Sequence, residues 1–462
     1  MDWWMLMEKD RVVDATGFLA SLLLILLLLM GPGAGKGFAS CVTADCHQDL
    51  ARIARPHAPV AEGECLECHQ RQVPEHPRKG GGKTFSLVAA GAALCANCHD
   101  PLPKGKVTHA PVAEGDCLSC HQAHGGAGPS LLEVTDSQEK LCLECHEEDE
   151  FGRKYVHGPV GSGACTQCHN PHASDQPALL RQPSRKLCLS CHQELSAPEA
   201  AVLHQPFTAK KCTSCHAPHS SSQARLLQKK YPDLCFSCHQ EVGQNYKKSK
   251  VKHLALYKDD RCGNCHASHF SSQPGLLQEK EMDLCLRCHG RDDTRKAKPL
   301  KNIRTEIVGK KHLHGPLAEG RCAACHQPHG SENSRLLTGS YPESFYAPYR
   351  DGTYDFCLSC HEPNLLRFPD TTIYTDFRNG KQNLHYLHVA NRRKGRSCRA
   401  CHQAHASNGV KLVNEEGATF GDWKIPLRLA LTSTGGSCAP GCHSRKSYDR
   451  KNPIDYGDSQ EK

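Results

Sequence analysis

Thirty cysteines fall into fifteen pairs, and the residue after the second cysteine of every pair is a histidine. No other feature of the 462 residues constrains folding as tightly, because a chain with this many paired thiols must satisfy them with disulfides, metals or covalent cofactors. Thirteen pairs have the spacing CxxCH: Cys65, Cys68 and His69; Cys95, Cys98 and His99; Cys117, Cys120 and His121; Cys142, Cys145 and His146; Cys165, Cys168 and His169; Cys188, Cys191 and His192; Cys212, Cys215 and His216; Cys235, Cys238 and His239; Cys262, Cys265 and His266; Cys285, Cys288 and His289; Cys322, Cys325 and His326; Cys357, Cys360 and His361; and Cys398, Cys401 and His402. Two variants frame them. Cys41, Cys46 and His47 have four residues between the cysteines, and Cys438, Cys442 and His443 have three.

Two thiols followed by an imidazole are what covalent haem attachment needs: thioethers to the vinyl groups, and a proximal ligand for the iron. Zinc ribbons also pair CxxC units, but they need no histidine after each one, and an isolated CxxC is a redox or metal pair. Histidine occupies 31 of 462 positions, so its presence after all fifteen pairs is not coincidence. The other sixteen histidines are His57, His76, His109, His124, His157, His172, His204, His219, His253, His269, His312, His314, His329, His385, His388 and His405. Met1, Met5, Met7 and Met30 precede the first pair and only Met282 follows it. Distal ligation by histidine is therefore expected at essentially every haem c, up to fifteen in all, with one histidine spare. His312 and His385 are the two candidates for that spare.

The motifs are organised as seven repeats of two. In each, a histidine lies 8 to 10 residues before a CxxCH, another usually lies three after the motif histidine, and a second motif follows. The copy that opens at His109 runs through Cys117, Cys120, His121 and His124 to Cys142, Cys145 and His146; others open at His57, His157, His204, His253, His314 and His388. The first copy departs by carrying His76 in place of a histidine three after His69. On these residues the chain resembles, over about 41–450, the doubled-CxxCH family of multihaem cytochromes, related to the class III cytochromes of anaerobic, often metal-reducing bacteria. The most specific phrases are His-Gly/Ala-Pro-Val, Cys-His-x-Pro/Ala-His and the Cys438-Ala-Pro-Gly-Cys442-His443 ending. The resemblance implies low-potential bis-histidine haems spaced for electron hopping, and a post in the periplasm, or at the outer-membrane surface or beyond it, in anaerobic respiration.

Composition agrees with a cofactor-built core. Hydrophobic residues, cysteines included, are 38% and aromatics 6%, so side chains alone bury little area. The expected fold is irregular, mostly coil with short α-helices such as one or two turns between Leu131 and Cys145. Strand signal is weak throughout. The whole is read as an elongated array in which each repeat buries its haems against its neighbours. Successive first motifs lie 52, 48, 47, 50, 60 and 76 residues apart, and residues 341–386 hold 10 of the 24 Phe and Tyr. That aromatic-rich insertion is expected to pack over a haem face, with a docking surface as the other reading.

The apolar run Phe18–Met30, followed by Gly31-Pro32-Gly33, is short for a membrane span and reads as a secretory leader over residues 1–40, with a polar tail over 451–462. After residue 40, Lys and Arg number 54 against 45 Asp and Glu, or +9. Fifteen oxidised haems at roughly −1 each carry that to about −6, so the basic residues are read as propionate partners rather than a nucleic-acid surface.

Electron transfer without substrate chemistry is the favoured function, because iron with both axial positions filled changes oxidation state but binds no substrate. A multihaem reductase of a small oxyanion is the alternative; it needs an open haem, often marked by CxxCK, and no CxxCK occurs. Expected partners are other redox proteins such as periplasmic or outer-membrane cytochromes, a porin or a cytochrome filament, with no small-molecule pocket. At Phe38-Ala-Ser-Cys41 the chain also resembles a lipoprotein cleavage box, which would remove Cys41 from haem binding and strand Cys46; the pairing of every other cysteine favours haem.

Overall fold

Most of the CxxCH motifs close as a single helical turn. The amide of the motif histidine donates to the carbonyl of the first cysteine, at 2.9 Å for His99 to Cys95, 3.0 Å for His326 to Cys322 and 2.9 Å for His402 to Cys398. Residues i, i+3 and i+4 of such a turn share one face, so both thiols and the imidazole are presented together. The computed structural model describes residues 41–457 apart from 44, 100–102, 134–137, 200, 210–211, 258–260 and 295–298. The expected leader and the end of the polar tail lie outside these residues. First motifs of repeats form 3-10 turns, as at Cys65–Glu67, Cys165–Gln167 and Cys322–Ala324. Second motifs sit on short α-helices, as at Ala92–Ala96, Ser184–Leu189 and Glu281–His289. The turns expected between Leu131 and Cys145 are seen at Gln138–Leu143.

The histidine that opens a repeat is also placed by local chemistry. His57, His109, His157, His204 and His314 each sit in extended backbone at the N-terminus of a short helix with proline in its first turn. Proline is tolerated there because the amides of a first turn have no intrahelical acceptor. None of these histidines caps its own helix, which leaves the imidazole to meet a partner elsewhere in the chain.

Among the described residues there are fourteen α-helices of four to nine residues, and the remainder is mostly coil and turns with small sheets. The fold is irregular, as expected. Four of the ladders are two-residue antiparallel pairs joining one repeat to the next: Arg55–Pro56 with Gly125–Gly126, Tyr155–Val156 with Ser220–Ser221, Val202–Leu203 with Phe270–Ser271, and His312–Leu313 with Ala406–Ser407. Two residues cannot carry an alternating pattern, which is why these ladders leave no signal in the sequence. In each case the strand before an opening histidine pairs with the strand that follows a His three after a motif.

Backbone contacts divide the chain into two compact units, Met1–Lys104 with Thr108–Leu141, and Gly105–Val107 with Cys142–Lys462. In the first, no described apolar side chain is buried. The second has two small cores. Leu286, Ile307 and Ala406 form one. Ala347, Tyr354, Leu366 and Val389, flanked by Tyr341, Tyr349, Leu358 and Leu365, form the other. The aromatic-rich insertion thus packs largely on itself: Tyr354 is 0% exposed and its hydroxyl donates to the Ala347 carbonyl at 2.5 Å. Asn383, also 0% exposed, donates to the carbonyls of Leu365 and Phe368 at 2.9 Å each and accepts from the amides of His385 and Tyr386. No helix among the described residues is long and apolar enough to cross a membrane.

Candidate metal centres

The imidazoles come together in pairs. Within a repeat, the opening histidine faces the histidine of the second motif: His57 and His99 at 5.9 Å between ring centroids, His157 and His192 at 6.1 Å, His204 and His239 at 6.1 Å, His253 and His289 at 6.0 Å, His314 and His361 at 6.0 Å. These pairs are close to parallel, with interplanar angles of 8° to 23°. Between repeats, the histidine of a first motif faces the His that follows the next first motif: His69 and His124, His169 and His219, His216 and His269, His266 and His329, His326 and His405. Their centroids are 5.9 to 6.5 Å apart and their planes are tilted by 31° to 46°.

The ends of the chain complete the pattern with local substitutes. His47 pairs with His76 at 5.9 Å, so the histidine displaced from its usual place in the first repeat faces the histidine of the leading motif. In the repeat that opens at His388, His402 pairs with His385 at 6.4 Å, while His388 pairs with His443 at 6.5 Å. His109, His121, His146 and His172 occupy the same sequence register as the paired residues. Of the two histidines left open as the spare, His385 is therefore in a pair, and His312 is exposed in the ladder His312–Leu313.

Second contacts fix the rings. The Nδ1–H of a first-motif histidine donates to a carbonyl nine residues on: His121 to Ser130 at 2.8 Å, His169 to Ala178 at 2.8 Å, His216 to Arg225 at 3.0 Å, His266 to Gly275 at 2.8 Å, His326 to Arg335 at 2.9 Å and His402 to Lys411 at 3.0 Å. A carbonyl can only accept, so Nδ1 carries the proton and Nε2 keeps its lone pair for a metal. Ser130, Ala178, Arg225, Gly275, Arg335 and Lys411 all have φ between 53° and 64°, and the following leucine is left-handed as well. That leucine's carbonyl accepts from the residue after the motif histidine, as Leu179 does from Asn170 at 2.7 Å. Non-glycine residues pay for this conformation with backbone strain, so the clamp persists only because it is closed on both sides. Opening histidines are held likewise, His57 by the Ala123 carbonyl at 3.0 Å and His204 by that of Ser268 at 2.8 Å. Two of the end-of-chain histidines meet hydroxyls, with His76 2.6 Å from Thr84 and His385 2.8 Å from Thr375.

Burial favours the neutral form of some of these rings. It lowers the pKa of His269, His289, His326 and His402, and pushes His385 down to about 4 with help from His402 and His388. A metal–imidazole bond is about 2 Å. Two of them in line, with ring radii of about 1.1 Å, separate centroids by about 6 Å, which is the separation seen. No group of three or more His, Cys, Asp or Glu side chains able to hold a metal occurs among the described residues. A pair of facing imidazoles with a thiol pair alongside is a donor set that would fit a covalently attached porphyrin.

All thirty thiols are free of disulfides, so both members of every motif remain available for thioethers. Their exposure depends on the place of the motif in its repeat. The second cysteines of first motifs, Cys68, Cys120, Cys168, Cys215, Cys265, Cys325 and Cys401, are half-buried. Those of second motifs, Cys98, Cys145, Cys191, Cys238, Cys288 and Cys360, are exposed. First motifs are folded under the clamp that follows them, as where the Cys168 carbonyl accepts from the Arg181 amide at 2.9 Å, and this covers the neighbouring thiol. Both thiols of the leading motif, Cys41 and Cys46, are exposed; in the closing motif Cys442 is exposed and Cys438 half-buried.

The thiols also follow chain order. In the second unit, side chains of successive motifs interact at nine junctions: Cys168 with Cys191, Cys188 with Cys212, Cys215 with Cys238, Cys235 with Cys262, Cys265 with Cys288, Cys285 with Cys322, Cys325 with Cys360, Cys357 with Cys398, and Cys401 with Cys438. In the first unit Cys41 meets Cys65 and Cys95 meets Cys117.

The model of the doubled CXXCH motif matches six segments, 57–104, 109–151, 157–197, 204–244, 253–294 and 314–365, more than half of the chain. The chain belongs to the doubled-CXXCH family of multihaem cytochromes. Its paired motifs bind haem c covalently. Six of the seven repeats read from the sequence are matched; the one opening at His388 lies outside the matches, and it is also the one whose two histidine pairs draw on His385 and His388 from a single helix, Leu384–Val389. The chain is 30% identical over 188 residues to the multiheme cytochrome MtrA of Shewanella baltica (strain OS185), an alignment covering 36% of this chain and 55% of the relative. It thus spans about half the length of that curated protein.

Sequence reasoning missed the ring-orienting groups. The carbonyl clamps had a signal, a recurring x-Leu-Leu at nine to eleven residues after the first-motif histidine, as in Ser130-Leu131-Leu132 and Arg335-Leu336-Leu337. Thr84, Thr375 and Asn383 had none, because their roles depend on contacts outside any repeat.

Proposed function

We propose that this chain is an extracytoplasmic electron conduit holding fifteen bis-histidine haems c. The observation that carries the reading is the set of thirteen imidazole pairs at 5.9 to 6.5 Å, each pairing one motif histidine with one distal histidine. His109, His121, His146 and His172 complete the count by register, His312 is the spare, and the unmatched seventh repeat is a full member. Bound haem supplies a one-electron couple at each site. The chain's own work is to fill both axial positions, so that iron exchanges electrons and admits no substrate, and to hold each Nδ1–H on an acceptor so that the ring cannot turn. Contacts between thiols of successive motifs support hopping in chain order. Ligation without methionine supports low potentials. The pairing of His47 with His76, beside the contact of Cys41 with Cys65, supports haem attachment at Cys41 and Cys46. The periplasm, through the leader-like segment, is the favoured location, with other cytochromes as donors and acceptors and a porin or filament as the assembly.

Intact mass of the mature protein tests the reading together with the ferric spectrum. Fifteen haem increments and a fully low-spin spectrum are expected. Fewer than thirteen increments, or a substantial high-spin fraction, would overturn it in favour of a chain with open haem sites.

A further inference from the structure

One pair differs from the others in what holds it. The Nδ1–H of His405 donates to a carboxylate, Oε2 of Glu306, at 2.9 Å, while the facing His326 donates to the Arg335 carbonyl at 2.9 Å. Glu306 is far from His405 in the chain and belongs to none of the repeat phrases. It lies on the helix Arg304–Ile307, in the lengthened connection between His289 and Cys322. The next residue, Ile307, is buried against Leu286 and Ala406, the neighbour of His405, so the helix is anchored where the imidazole stands. The Glu306 side chain is only 21% exposed, and its other oxygen is paired with Lys301. Lys301 in turn feels Arg399 and Arg335. His192 also meets a carboxylate, Glu194, but at 3.3 Å with side chains 47% and 69% exposed, where solvent screens the interaction.

We propose that Glu306 is a positioning residue that sets the potential of the centre held by His326 and His405 below that of the otherwise equivalent centres between repeats. The inference rests on the bis-histidine reading above. A carboxylate acceptor on a ligand's second nitrogen makes that ligand more basic, and the nearby anion favours the ferric over the ferrous charge. Lys301 opposes this by sharing the carboxylate. The two side chains therefore act in opposite directions on one centre, which a merely structural role would not produce.

The test is a spectroelectrochemical titration of the full-length holoprotein and its variants, after haem content and low-spin spectrum are checked. Glu306→Gln should move about one fifteenth of the total amplitude to more positive potential, with roughly a tenfold change in the ratio of oxidised to reduced centre, about 59 mV for one electron. Lys301→Gln should move the same fraction the other way, and Glu306→Asp, which keeps the charge, should stay near the parent. Superposable titrations of fully loaded parent and Glu306→Gln protein, a Glu306→Asp shift equal to that of Gln, or an upward shift in Lys301→Gln would each overturn the inference. Should Glu306→Gln fail to load haem, the sign of the Lys301→Gln shift decides. A parent protein that is high-spin sinks the bis-histidine reading instead, so the two failures are distinct.

Discussion

In the first compact unit no described apolar side chain is buried, and Leu66 and Leu118 stand 57% and 60% exposed. Between Tyr341 and Tyr448, Tyr354 and Asn383 are fully buried and Leu366, Ile425, Leu427 and Val389 are nearly so. The same motif chemistry is thus embedded in two kinds of polypeptide. The first unit has turns, short ladders and imidazole pairs but no side-chain core among its described residues, so its apolar partner has to be the cofactor. In the last repeat the aromatic-rich sequence supplies a core, a buried asparagine that caps the helix Leu384–Val389, and with that helix the imidazoles of His385 and His388, which face His402 and His443.

Removing the cofactor should separate the two regions most. A chain made without haem attachment is expected to lose slow hydrogen exchange throughout 57–141, because ordering a residue costs about 1–2 kcal/mol and the first unit has no side-chain burial to offset it. Residual protection is expected around Tyr354 and Asn383. Protected amides in the first unit of the haem-free chain would break the comparison.

A smaller effect is expected from the core itself. In the holoprotein, Tyr354→Ala should lower the local opening free energy around Ala347 and Val389 by about 3–5 kcal/mol, the usual range for truncating a buried aromatic, while exchange in the first unit is unchanged. Equal loss of protection in both regions would mean that they open as one.

The smallest effect sharpens what holds the core-poor repeats. Gly275 and Ala178 occupy the same left-handed place in the clamp, at φ of 64° and 53°, and a Cβ on Gly275 would meet nothing within 4 Å. Gly275→Ala should weaken protection of the Ala267 amide by about 0.5–1 kcal/mol, the left-handed penalty less the gain in chain stiffness. Ala178→Gly should strengthen protection of the Asn170 amide by a similar amount. Changes of the same sign at both positions would show that the clamp is not strained as described.

Much of the candidate site was legible before any coordinates. Thiol pairing, the proximal histidines and the number of distal histidines follow from covalent and coordination chemistry, which acts over a few adjacent residues. The pairing rule was not legible. That His57 serves its own repeat while His69 reaches His124 depends on a ladder of two residues, Arg55–Pro56 with Gly125–Gly126, too short to show in a pattern. Nor does the motif itself tell Cys120 from Cys145: one is half-buried and the other exposed because only the first motif of a repeat is folded under a clamp. The aromatic insertion packs largely on itself, with the motif residues Leu358 and Cys398 against the same core; composition reveals apolar surface without saying what will cover it.

By itself the sequence determined the kind of centre, a porphyrin fixed by two thioethers and an imidazole, because those bonds are made by neighbours in the chain. Only the tertiary structure decided which distant imidazole faces which motif, that His385 is paired while His312 is exposed, and that Glu306 stands behind His405. Those outcomes depend on directions in space at the ends of long connections, and a linear pattern of residue types carries no information about direction.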